Sequence, residues 1–73
     1  MTFDQIRARI AELARTRPEP NDDPAAQVEA ALFLEEVFGL TLTDDDLNAD
    51  SLGTYQAMEK LVLRRLEAEN RGL

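Results

Sequence analysis

The chain has no cysteine and no histidine. The first absence removes disulfide staples and thiolate metal sites. The second removes the commonest general base and transition-metal ligand. Together they exclude most nucleophilic and zinc-dependent chemistry. Catalysis would rest on carboxylates, Tyr55 or Lys60, and no motif brings these together, so we expect a non-enzyme with no catalytic residues. An unbroken apolar run is also missing: the opening MTFDQIRARIAELAR is amphipathic. Neither a signal peptide nor a membrane span is expected, and the location is expected to be cytoplasmic.

Positive charge is missing from the middle of the chain. Residues 18–59 contain eleven acidic side chains and no Lys or Arg. Both ends lean basic, with Arg7, Arg9, Arg15 and Arg17 on one side and Lys60, Arg64, Arg65 and Arg71 on the other. The overall balance is −7, which argues against nucleic acid as a partner, since phosphates require Lys and Arg. An acidic block of this kind is either a solvated face or a surface that steers basic partners.

What is present is helix pattern. Seventy-three residues are expected to make a single domain, 1–73, with a small core. Phe3, Ile6, Ile10 and Leu13 recur at spacings of three and four, which predicts a first helix over about 3–15 capped by Thr2. TRPEPNDD cannot continue it, so Pro18–Asp22 reads as a short stiff connection. Asp23 then suits an N-cap and Pro24 the first position of a helix over about 24–38. Val28, Ala31, Leu32 and Phe38 are expected inward, with Leu34 or Phe33 at the edge. Gly39 is expected to end this helix in the left-handed conformation.

LTLTDDDLNAD reads as a loop anchored by Leu40, Leu42 and Leu47. Thr43 is expected to cap a short turn over about 44–48. The Asp44-Asp45-Asp46 run lacks the central Gly and terminal Glu of a calcium loop, so no metal is expected there. A last helix is expected over about 52–68, with Leu52, Tyr55, Met58 (or Ala57), Leu61, Val62 and Leu66 as its core stripe and a frayed tail ending at Gly72. Ser51, or Asp50 before it, is expected to cap that helix. Short connections favour antiparallel neighbours, and the fold class is all-α.

The run LEEVFGLTLTDDDLNADSLGTYQAMEKLVLRRLE, residues 34–67, resembles the C-terminal half of acyl carrier and peptidyl carrier proteins, the phosphopantetheine-binding family. FGLTLTDDDL is similar to the family's alternating loop and acidic turn. Ser51-Leu52-Gly53 matches the cap before its final helix, and Arg64-Arg65-Leu66 matches that helix's end. The resemblance implies a small antiparallel four-helix bundle of acyl-carrier type, with three main helices, one short helical turn and a shortened first loop.

It also implies where a phosphopantetheine arm belongs. In the family a serine follows an aspartate at the start of the second helix. Here Asp23 is followed by Pro24, which has no hydroxyl, so no cofactor is expected at that position. A second register remains: DLNADSL itself resembles the family's D-L-G-A-D-S-L, with Ser51 carrying 4'-phosphopantetheine as a working carrier would. Residues 52–73 then have to supply the rest of the bundle, and they suffice for one helix and a tail.

The first register implies a carrier-like domain without its arm, a non-catalytic protein-interaction module. Its partner would be the basic surface of a biosynthetic enzyme of synthase, ligase or transferase type. Glu29, Glu35 and Glu36 would meet that surface, with Asp22 and Asp23 extending the acidic face. A third reading, independent of the family, is an acidic helical oligomerisation domain in which basic ends of one copy meet the acidic middle of another. A monomer or a weak oligomer is expected, with no nucleic acid and no membrane.

Overall fold

The computed structural model describes residues 2–71. Four α-helices follow one another: α1 (Phe3–Thr16), α2 (Pro24–Phe38), α3 (Ala49–Leu52) and α4 (Tyr55–Arg71). A 3-10 turn over Asp44–Asp46 lies between α2 and α3, and the described residues contain no strand.

Local chemistry sets most of the boundaries. Thr2 and Gln5 cap α1 reciprocally: the Gln5 amide donates to the Thr2 hydroxyl oxygen at 3.3 Å, and the Thr2 amide donates to Gln5 Oε1 at 2.9 Å. This arrangement satisfies two donors that helix geometry leaves orphaned. Asp23 caps α2 by accepting from the Ala25 amide at 3.1 Å, and Pro24 follows as the first helical residue. Gly39 ends α2 at φ 68, the left-handed region that costs glycine least.

α1 packs on α4, α4 packs on α3, and α3 meets α2. The core joins Ile6, Ile10 and Leu13 of α1 to Leu34 and Phe38 of α2 and to Leu52, Met58, Leu61 and Val62. Leu40 is buried after α2, and Leu42 and Leu47 pack against the cluster, so the loop is anchored as its alternating leucines predict.

Three expectations need correction. First, α2 sits rotated from its predicted orientation. Gln27, Ala30, Ala31, Leu34 and Phe38 face the core, whereas Val28 is 44% and Leu32 56% exposed. Apolar residues occur on every side of this helix, so periodicity alone does not choose a face. Leu34, expected at the edge, is fully buried, and Phe33 packs against the core from a half-buried position. Second, Phe3 is 42% exposed, with the Arg7 guanidinium 5.9 Å from its ring centroid. At the first turn of α1 it lies beyond the reach of the core but still serves as a cation–π partner.

Third, the last helix does not begin at Leu52. The chain makes the single turn α3, breaks at Gly53-Thr54, and restarts as α4, whose backbone runs to Arg71. The expected end at Gly72 lies outside the described residues. Ser51 therefore caps nothing. Asn48 caps α3, accepting from the Ser51 amide at 2.8 Å, and Thr54 accepts from the Ala57 amide at 3.1 Å to cap α4. Asn48 and Thr54 stand immediately before the first residues of α3 and α4, where an N-cap must sit, whereas Ser51 lies inside α3.

The connection between α1 and α2 is stitched to the start of α4. The Asn21 amide donates to the Gly53 carbonyl at 2.8 Å, and the Tyr55 amide donates to the Glu19 carboxylate at 2.8 Å. The Tyr55 hydroxyl donates to the Arg17 carbonyl. Asn21 adopts φ 51, a left-handed conformation that asparagine tolerates, and its carbonyl accepts from the buried Gln27 side chain at 2.7 Å. Gln27 thus occupies a core position of α2 without an unsatisfied polar group.

Candidate functional site

The acidic residues of interest lie on and around α2. They do not all play one part. Asp22 is exposed and lies in the connecting loop. Asp23 is committed to capping. Glu29 is paired with Arg17, both side chains being more than half exposed. Glu35 is half-buried and accepts from the Leu42 amide at 3.0 Å, which ties the end of α2 to the following loop. Glu36 is exposed. The surface open to a partner is therefore Asp22, Glu29 and Glu36, while Asp23 and Glu35 hold local structure.

Two apolar side chains share this surface. Val28 and Leu32 are four residues apart on α2, and both project to solvent beside Glu29 and Glu36. The carrier-protein resemblance pointed to the carboxylates; the rotation of α2 adds the aliphatic pair, which the sequence reading had assigned to the core. A groove of about 470 Å³ runs along the seam of α1 and α2, lined by Glu12, Thr16 and Arg17 on one side and Glu29, Leu32, Phe33 and Glu36 on the other.

The two candidate attachment positions differ sharply. Pro24 occupies the first position of α2 and offers no nucleophilic oxygen. A phosphopantetheine ester does not fit there. Ser51 sits within α3, half-buried, on the rim of a separate groove of about 390 Å³ lined by Asp46, Leu61, Arg64, Arg65 and Ala68.

Asp46 is the most constrained carboxylate. It is 9% exposed and accepts from the Thr43 amide at 3.0 Å and from the Thr43 hydroxyl at 3.2 Å. It also accepts from the Arg65 guanidinium. The Arg65 bond first, and the Thr43 amide second, hold the Asp46 carboxyl below its ordinary 3.8, against an opposing effect of burial. Thr43 is the N-cap of the turn, as expected, and Asp46 at its third position reaches back to the Thr43 amide. This pair pins the 3-10 turn to α4 and is structural in its geometry. Spacing along the sequence gave no sign of it, since nineteen residues separate the partners.

Elsewhere the Tyr55 phenol is pushed above its ordinary 10.0, by desolvation first and the Glu19 carboxylate second. No set of three carboxylates converges in a way that would hold a cation among the described residues. No helix among them is long and apolar enough to cross a membrane. Neither a protein-family model, nor a curated protein, nor a solved structure matches this chain, which leaves the acidic face of α2 and its groove as the ground for a functional reading.

Proposed function

We propose that this chain is a carrier-protein-like helical domain without the usual phosphopantetheine serine, acting as a non-catalytic interaction module. It docks through the acidic face of α2 on a basic surface of a biosynthetic enzyme. The observation that carries the reading is the composition of that face: exposed Val28 and Leu32 bordered by Glu29 and Glu36, on a helix with no basic residue. Apolar contact supplies affinity, and the carboxylates supply rate and orientation. Binding of this kind is transient and weakens with salt. Pro24 at the head of α2 supports a module that carries no arm.

A second reading keeps Ser51 as a phosphopantetheine site. Its support is the half-buried serine beside Arg64 and Arg65, cations suited to a phosphodiester. One experiment separates the two. The protein is incubated with coenzyme A and a promiscuous phosphopantetheinyl transferase, and its mass is measured. Unchanged mass is expected, whereas a gain of one phosphopantetheine at Ser51 establishes the second reading instead. Docking is tested by changing Glu29 and Glu36 to Lys, sparing Glu35 for its loop bond. Binding to immobilised carrier-dependent synthases, ligases and transferases is then compared at low and high ionic strength. Loss of salt-sensitive binding is expected; equal affinity of variant and parent removes this face from the account.

A further inference from the structure

A small cavity lies between the end of α1 and the first half of α2. Its volume is about 80 Å³. Leu13, Pro20 and Ala30, all buried, make its floor, and Ala26 and Pro18 make its walls. Arg17 and Glu29 stand at the mouth, joined to each other. Water entering this space finds bonding partners at the mouth alone, because the floor is apolar. The two prolines keep the loop side rigid, so the hollow does not close by collapse.

Size and charge limit what fits. The cavity's volume is about half that of an enclosed cavity known to take benzene, about 150 Å³, and its lining of one Leu, two Pro and two Ala suits a branched aliphatic side chain better than a planar ring. The mouth opens onto the seam groove, which shares Leu13, Arg17 and Glu29 with the cavity and presents Glu12 and Glu36 as well. Three carboxylates against one guanidinium select a basic occupant. The Arg17–Glu29 pair is solvent-exposed on both sides, and exposed pairs of this kind open at little cost.

We infer that the cavity receives one aliphatic side chain from a basic segment of a partner protein, whose Lys or Arg displaces Arg17 from Glu29 while neighbouring basic residues lie along Glu12 and Glu36. The inference rests on the docking reading above and deepens it. The acidic face recognises charge, and the cavity beside it recognises a single Leu-, Ile- or Val-sized anchor. Arg17 is then a self-ligand that keeps the mouth occupied until a better cation arrives.

Three acetylated peptide amides test this on the full chain: Lys-Leu-Lys-Arg and its analogues with Ala or Phe at the second position. Each is titrated into isotope-labelled protein at low ionic strength, and amide shifts are followed. The Leu peptide is expected to move the Ala26 and Ala30 signals and to bind about tenfold or more tightly than the Ala analogue. The Phe analogue is expected to bind no better than the Ala one. An Ala26→Leu variant, which fills the cavity from its half-exposed wall, is expected to lose the preference for Leu and keep the affinity for the Ala peptide.

Equal affinity for the Leu and Ala peptides, with binding still abolished by E29K/E36K, overturns the anchor site and leaves acidic docking intact. Absence of binding by any peptide also overturns the anchor site, while the immobilised-enzyme comparison decides docking separately. Isobutanol shifting Ala26 and Ala30 at the same concentration as the Leu peptide makes the cavity a small-molecule site and overturns its assignment to a partner side chain.

Discussion

Replacing Asp46 by Asn keeps the shape of the side chain and removes its charge. The Asn oxygen still accepts from the Thr43 amide, so the 3-10 turn keeps one of its clasps. What is lost is charge assistance in the bond from Arg65. Asn keeps a bond from the still-charged guanidinium, so the difference is the ion-pair part alone, about 0.2–1 kcal/mol for pairs that solvent reaches and more where one partner is buried, as Asp46 is. The Arg65 side chain is 39% exposed, so solvent screens part of the difference, and about 1 kcal/mol remains. For a domain of 73 residues that corresponds to a fall in Tm of about 4–8 °C. Asp46→Ala, which also abandons Thr43, is expected to cost about twice as much.

The pH dependence gives the sharper test. The folded state holds this carboxyl below 3.8, so its ionised form favours folding. The contribution is present above 3.8 and is lost as pH falls below that value through the lower folded-state value. Thermal melts followed by circular dichroism should show a gap between the parent and D46N at neutral pH that closes on acidification below 3.8. A gap that stays constant across this range, or no gap at all, refutes the charge pair as the clasp between the turn and α4.

Two further substitutions probe the packing. Leu34→Ala, at a fully buried position, should lower unfolding free energy in urea by about 2–5 kcal/mol, while Leu32→Ala, 56% exposed, should change it by less than about 0.5. The reverse order would restore the orientation of α2 expected from sequence. A Cβ at Gly53 would run into the Ala49 carbonyl oxygen, so Gly53→Ala should cost about 1–3 kcal/mol. Gly39→Ala meets open space and pays only for its left-handed backbone, about 1–2 kcal/mol, most of which Gly39→Asn should recover in the same urea series.

The parts of the fold legible in the sequence are those fixed by neighbours in the chain. Thr2, Asp23 with Pro24, and Gly39 act on residues within one turn, and each does what its chemistry predicts. The stripe of Met58, Leu61 and Val62 was readable because polar residues border it. α2 was harder because Val28, Leu32 and Leu34 offer equivalent apolar surface, and only the assembled core decides between them. The break at Gly53-Thr54 was hidden because α3 and α4 continue one helical pattern across it. At the candidate site, the carboxylates were legible as charge, but their division of labour was not. Glu35 and Glu29 differ only in what the fold places opposite them, the Leu42 amide in one case and Arg17 in the other.

The Tyr55 amide receives its acceptor from Glu19, thirty-six residues earlier in the chain. The first turn of α4 is therefore completed by a part of the molecule made long before it. A peptide of residues 49–71 alone would keep its apolar stripe and its Thr54 cap but lack this bond and the one from Asn21 to Gly53. The loop and the start of α4 therefore order each other, through one bond given in each direction. Hydrogen exchange at the Tyr55 amide would then measure how often the loop lets go, independently of whether the helix itself unwinds.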